Sequence, residues 1–523
     1  MSKKPIITAR EAAQWVHDGD TLTTSGFLAS ALPEALSRAL ETRFIETGSP
    51  QNLTLLFPTS QGYSDGSGPD HFAHTGLLKR VIGGHFNVIP KMGRLIAENK
   101  LEAYNFPQGT LSQLMRDTAA HKPGTLTHVG LDTFVDPRIE GGRLNRCTTE
   151  DLVEVVTIAG EEQLLYKAIP IDIAFIRGTF ADEKGNVTLE RECCTGEVTA
   201  IAQAAHNSGG RVIVQVEKIV SAGTLDPRLV KIPGICVDAL VVAENPEDQA
   251  QCHGTPGFDP SLTGEIRVPQ DRVAPATMSL KKIIGRRAAM ELRADTVINL
   301  GIGAPELVAA VACEEGLGGL CTMTVEAGAI GGMPQGGNRF GGSVNVEAIL
   351  DQPVQFDFYD GGGLDQAFLG LAECDAQGNI NVSKFGSRLS GSGGFINISQ
   401  NAKSVFFMGT FTTSGLRSHI QDGRLIIDQE GRAKKFVATV EQITFSGIYA
   451  RKIKQPVKYI TERAVFELRE DGIYLTEVAP GINFQTQILD QMDFVPLIPQ
   501  GGLQLMDERI FQDRPMGLKE KVI

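Results

Sequence analysis

A single carboxylate set in a run of small residues is the part of this sequence that comes nearest to stating a chemistry. Thr324-Val325-Glu326-Ala327-Gly328-Ala329-Ile330-Gly331-Gly332 brings Glu326 out of an apolar stretch into a glycine-rich loop. Such a loop lets a ligand approach the backbone and leaves the carboxylate little shielded. A carboxylate is already ionised at neutral pH, so it can attack an electrophilic carbon without a general base. The plain alternative is a Glu that caps a turn.

Three other glycine clusters could turn backbone N–H groups toward an oxyanion or a phosphate: Asp360–Gly363, Ser390–Gly394 and Asn299-Leu300-Gly301-Ile302-Gly303-Ala304-Pro305. Each could equally be a structural turn. Gly301-x-Gly303 lacks the third glycine of a dinucleotide fingerprint, and the sequence has no GxxxxGK[ST] phosphate loop. His71 and His74 have the spacing to share a helix face, but no recognised metal motif surrounds them, and no metal is expected. Gly62-Tyr63-Ser64-Asp65-Gly66 matches G-x-S-x-G, yet no helical pattern follows it directly, so a loop is expected there and not a nucleophile elbow. The eight cysteines are scattered without a CxxC pair and read as reduced thiols.

The elements that must carry these residues alternate short apolar strands with amphipathic helices. Thr21–Ser25 reads as a strand leading into a glycine turn, and a helix is expected from Pro33, with Pro and Glu in its first turn. Leu53–Phe57, Arg211–Val216 and Ala239–Ala243 read as further strands, the last two as continuous apolar runs of the kind parallel sheets bury. The pattern recurs later: Thr296–Leu300, a glycine turn, then a helix from Pro305. An α/β architecture follows, with mostly parallel open sheets, flanking helices and ligands at the C-terminal ends of strands. Asp136 to Asn145 reads as an irregular excursion.

The recurrence is written in the residues. Asp20-Thr-Leu-Thr-Thr-Ser-Gly26 with Pro33-Glu34 resembles Asp295-Thr-Val-Ile-Asn-Leu-Gly301 with Pro305-Glu306, and Ala174–Val187 resembles Ala367–Ile380 without a gap. Two related domains in tandem are expected: 1–253, a Pro- and Gly-rich linker at 254–276, and 277–523, with Lys281–Leu292 as the first helix of the second. A chain of 523 residues is long enough for two or three domains of roughly 100–250 residues. Its net charge of −13 argues against nucleic acid or an anionic membrane as a main partner. The sequence contains no apolar run of transmembrane length, and the N-terminal residues show no signal-peptide core; a soluble cytoplasmic protein is the expectation.

These motifs, taken in order, resemble the family I coenzyme A transferases, and most nearly their fused bacterial propionate/acetate branch. The markers are Thr24–Phe27, Ala103–Thr110, Gly130–Pro137, Ile298–Pro305, Val325–Gly332, Gly391–Asn397 and Tyr459–Phe466. Val-Glu-Ala-Gly around Glu326 differs from the Ser-Glu-Asn-Gly usual in the succinyl-CoA:3-oxoacid branch. The resemblance implies that Glu326 is the nucleophile, that the Gln108 side-chain amide and the Gly394 backbone N–H form an oxyanion hole, and that Asn299, Leu300, Gly301, Ile302 and Gly303 contact CoA. It implies reversible transfer of CoA from a short-chain acyl-CoA to a carboxylate, through an acyl-glutamyl anhydride and a γ-glutamyl-CoA thioester. Acyl-CoA and carboxylic acids are then substrates, no cofactor is tightly bound, and the chain forms a homo-oligomer, dimer or tetramer. A cleft between packed domains would keep water from the thioester. An acyl-CoA hydrolase on the same scaffold and a non-catalytic CoA-binding module are the competing readings.

Overall fold

In a computed structural model of the chain, residues 2–255, 257–269 and 276–519 are described. Pro256 and residues 270–275, part of the expected linker, lie outside them. The chain forms two compact units. One comprises Met1–Val268 with Val325–Asp357 and Lys384–Asn397; the other comprises Pro269–Thr324, Phe358–Ser383 and Ile398–Ile523. The chain first leaves the first unit at Val268, inside the expected linker, but returns to it twice. Those returns carry Glu326 and Gly394.

The first unit is built on a seven-stranded sheet in the order Ala239–Val242, Arg211–Val216, Ile173–Arg177, Thr21–Thr24, Leu53–Phe57, Leu78–Gly83, Glu102–Asn105. All adjacent strands are parallel. Strand order runs outward in both directions from Thr21–Thr24, so the C-terminal end of that strand is a topological switch point. Its apolar residues pack with the helix Glu34–Thr47 around Leu22, Leu36, Leu40, Leu55, Phe57 and Phe175, all buried.

In the second unit, Thr322–Thr324, Val297–Leu300, Gln366–Gly370, Val405–Met408 and Val457–Ile460 are neighbours in that order and parallel. Ala464–Arg469 and Gly472–Val478 continue the sheet antiparallel. The helices Leu280–Ala289 and Glu306–Glu314 cover a core around Ile284, Ile298, Val308 and Phe368.

The repeat read from the sequence has a physical counterpart in each unit. The Thr21 N–H donates to Asp172 Oδ2 at 2.8 Å, and the Val297 N–H donates to Asp365 Oδ2 at 2.8 Å. Ser25 N–H donates to the Phe175 carbonyl, Gly301 N–H to that of Phe368. These bonds make Thr21 equivalent to Val297 and Ser25 to Gly301. The pairing drawn from the sequence, Gly26 with Gly301, is therefore one residue out of step for this strand. The ungapped second block is matched atom for atom. Asp182 Oδ1 accepts from the N–H groups of Lys184 and Asn186, and Asp182 Oδ2 from Asn186 Nδ2; Asp375 holds Gln377 and Asn379 in the same way. Gly185 and Gly378 sit in these turns at φ +85° and +83°, a conformation that explains glycine at both positions.

Gln108 is the first residue of the helix Gln108–Ala119. His71 and His74 do not share a helix face: a short 3₁₀ turn ends at Phe72, and Glu41 joins them, accepting from His71 Nδ1 at 2.5 Å and His74 Nε2 at 2.8 Å. Ser64 lies in an irregular loop.

Candidate active site

Glu326 sits in a tight turn of the first unit. Val325 N–H donates to the Ala329 carbonyl (2.9 Å) and Gly328 N–H to that of Val325 (3.0 Å). Val325, Ala327 and Ala329 are buried in an apolar cluster with Phe27, Cys193, Cys194, Cys252 and Phe340, while Glu326 between them is half-buried. Gly328 closes the turn at φ +116°, and a Cβ there would collide with the Leu350 carbonyl oxygen. The Leu350 N–H donates back to the Gly328 carbonyl at 2.9 Å, so the loop is pinned from both sides.

Gln108 and the Gly391–Gly394 loop are brought together in the same unit. The Gln108 N–H donates to the Gly393 carbonyl at 2.9 Å. A trans peptide directs its N–H opposite to its carbonyl, so the Gly394 N–H is on the side of that peptide turned away from the Gln108 backbone. The Gly109 N–H donates to Asn397 Oδ1 at 3.1 Å, tying the start of the Gln108 helix to the residues just after the loop. The Gln108 side chain is buried, with Nε2 3.3 Å from Gln352 Oε1. Gln352 begins the helix Gln352–Asp360, and one turn on, Gln355 Nε2 is 3.5 Å from the Val325 carbonyl. One helix thus touches both Gln108 and the residue preceding Glu326.

The third group lies in the second unit. Asn299 is buried, its Nδ2 donating to the Thr324 carbonyl at 3.3 Å and reaching Tyr359 Oη at 3.4 Å, while Tyr359 donates to Thr324 Oγ1 at 2.8 Å. Leu300 is buried as well, and Ile302 is the exposed side chain of the five. The Gly303 N–H already donates to Glu306 Oε1 at 3.0 Å. The Gly301 N–H is likewise taken by the Phe368 carbonyl, so what this turn offers a ligand is centred on Ile302, its exposed apolar side chain and its backbone. Asn299 fastens the turn from below.

The coenzyme A transferase family matches at residues 6–243. Acetate CoA-transferase YdiF of Escherichia coli K12 is 44% identical over 98% of this chain and 96% of its own. The chain belongs to the coenzyme A transferase family. Caffeate CoA-transferase of Acetobacterium woodii is 45% identical over 98% of both chains. The acyl-CoA transferase YdiF of E. coli O157:H7, 43% identical, superposes over 98% of this chain and 97% of that one, with a TM-score of 0.94 as apoenzyme and 0.93 as a thioester complex with CoA.

In this CoA transferase the structure also shows residues that sequence reasoning missed. Asn105, at the end of strand Glu102–Asn105, donates through Nδ2 to the carbonyls of Gly83 (2.8 Å) and Gly84 (2.6 Å), and its Oδ1 accepts from the Ser392 N–H at 2.8 Å. It clamps the glycine loop to the strand ends. The Gly393 N–H adds a bond to the Gly84 carbonyl at 2.8 Å. His85 lies beside this loop with Nδ1 2.8 Å from Ser60 Oγ. Burial, with the Arg388 cation adding, pushes its pKa down to about 4, so it is neutral at physiological pH. The only signal for these residues was that Asn105 and Gln108 share one marker, Ala103–Thr110. Among the described residues, no cluster of three or more His, Cys, Asp or Glu could hold a metal, and no helix is long and apolar enough to cross a membrane.

Proposed function

We propose that this CoA transferase moves CoA from a short-chain acyl-CoA to acetate or propionate by a ping-pong route through Glu326. The observation that carries the reading is the convergence of Gln108 and the Gly393–Gly394 peptide within the unit that holds the Glu326 turn. The Glu326 carboxylate attacks the thioester carbonyl; the C–S bond breaks, giving an acyl-glutamyl anhydride and CoA thiolate. The thiolate attacks the glutamyl carbonyl of the anhydride, releasing the first acid and leaving γ-glutamyl-CoA. The acceptor carboxylate then reverses both steps and restores Glu326. Every attacking group is an anion, so no proton need move. Each tetrahedral intermediate carries an oxyanion, which the Gln108 Nε2–H and the Gly394 N–H stabilise. The Gly301–Gly303 turn serves as a CoA contact through Ile302. In this reading the working domains are the sequence halves 1–253 and 277–523 joined by 254–276.

The test is product analysis with propionyl-CoA in the presence and absence of acetate. Transfer predicts acetyl-CoA in amounts matching propionate, parallel double-reciprocal lines, and little free CoA without acceptor. Free CoA released at the same rate without acetate would make the protein a hydrolase.

A further inference from the structure

Behind Gln108 lies a buried polar relay that the transfer chemistry has not used. Gln352 Oε1 accepts from Gln108 Nε2, and Gln352 Nε2 donates to Ser112 Oγ and, at 3.0 Å, to Glu197 Oε2. Ser112 in turn donates to the Gln108 carbonyl at 2.9 Å. Gln108, Ser112, Glu197 and Gln352 are all buried. Glu197 immediately precedes the helix Val198–Asn207 but makes no side-chain cap to it, and among the described residues its Oε1 has no partner. A carboxyl in that position is costly unless it serves another group.

We propose that Glu197, acting through Gln352, positions the Gln108 side-chain amide. With Glu197 and Ser112 as the acceptors on the amide nitrogen of Gln352, the oxygen of Gln352 faces Gln108 and takes one of its two Nε2 hydrogens. The other hydrogen is left for the oxyanion. The inference rests on Gln108 as an oxyanion donor.

The charge of Glu197 matters as well as its place. Burial, with the nearby Asp351 charge adding, pushes its pKa up to about 8. On the elements around it Lys231 pairs with Asp351, Arg116 with Asp357, Asp117 with Lys122, Arg177 with Glu192, and Arg211 with Asp238; Asp360, at the far end of the Gln352 helix, accepts from Asn401 Nδ2 at 3.3 Å, and His206 lies at the far end of the Val198–Asn207 helix. At neutral pH Glu197 is therefore an uncharged acid. Above about pH 8 it becomes an anion one amide removed from the oxyanion donor, where it opposes the developing charge.

The experiment is a pH–rate series on wild type, Glu197→Gln, Glu197→Leu and Gln108→Ala, using propionyl-CoA and acetate. The wild-type kcat is expected to fall on an alkaline limb near pH 8. Glu197→Gln is expected to cost a few-fold at pH 7 and to abolish that limb, because an amide keeps an acceptor and cannot ionise. Glu197→Leu is expected to lower kcat on the order of ten- to a hundredfold with little change in KM, since it only misaligns the donor. A limb retained in Glu197→Gln overturns the inference, as does an undiminished kcat in Glu197→Leu. Should the Leu variant fail to fold, the Gln profile decides. A large loss in Gln108→Ala beside an unchanged limb in Glu197→Gln sinks this inference alone. No loss in Gln108→Ala sinks the oxyanion reading on which it stands.

Thermal unfolding gives an independent arm. The native state keeps a proton that unfolded Glu197 releases near the ordinary carboxylate value of 4.5, so wild-type stability falls as pH rises from there toward about 8. Glu197→Gln should gain on wild type across that window. A relative loss would mean an ionised, paired Glu197.

Discussion

At the residue scale Glu326 and Gln108 have separable jobs in the proposed route, and their variants should fail differently. Glu326→Ala is expected to abolish transfer. Glu326→Asp should be nearly as severe, because one missing methylene withdraws the attacking oxygen from the thioester carbon. Substantial turnover in either, measured as acetyl-CoA formed from propionyl-CoA, contradicts the nucleophile. Gln108→Ala should lower kcat by about 10²–10³, the usual loss for one oxyanion donor, while leaving measurable activity. Glu326 stood out as a candidate because a carboxylate among Ala and Gly is little shielded, but its neighbours alone left a turn-capping Glu open, and the nucleophile role came from the family resemblance. Gln108 and Gly394 were legible only through the family resemblance, because a Gln after a proline and a Gly in a glycine run are common turn residues. Glu197 was not legible at all. Beside Gly196 and ahead of a helix it reads as a solvated acid, whereas in the fold it is buried with Gln352 Nε2 donating to it at 3.0 Å.

At the element scale the nucleophile depends on a turn with little tolerance. Gly328→Ala must place a side chain at φ +116° and against the Leu350 carbonyl oxygen. It is expected to cost about 2 kcal/mol or more in chemical denaturation and to reduce kcat with it, as the Glu326 backbone shifts. Wild-type stability in that variant would show the turn to be slack. The strands and helices themselves were readable: Leu53–Phe57 and Arg211–Val216 appear with the expected bounds, because continuous apolar runs have few other places to go in an α/β fold. The duplication was readable too, but its register was not. Side-chain similarity put Gly26 beside Gly301, whereas the carboxylates of Asp172 and Asp365 put Thr21 beside Val297. Hydrogen bonds between distant strands set that register, and a local alignment does not contain them.

At the scale of the whole molecule, chain order and compact units part company. Val325–Asp357 and Lys384–Asn397 belong with Met1–Val268, and they supply the carbonyl of Gly393 to Gln108 and the amide of Asn397 to Gly109. A fragment ending at Val268 lacks those partners and is expected to be poorly soluble alone, but to be recovered as a complex when co-expressed with residues 277–523. A monodisperse, cooperatively folding 1–268 fragment would count against this dependence. The division was hidden in the sequence because nothing at Val325 or Lys384 marks a boundary: both fall within runs that look like ordinary strand and loop. The proposed route turns on one bond, between CoA sulfur and the Glu326 side chain. Wild-type enzyme incubated with propionyl-CoA without acceptor, then denatured and digested, should yield the Glu326 peptide heavier by CoA less water, and acetate added before denaturation should remove the adduct as acetyl-CoA appears. An enzyme that turns over with no such adduct, or that carries it on another residue, would contradict the account.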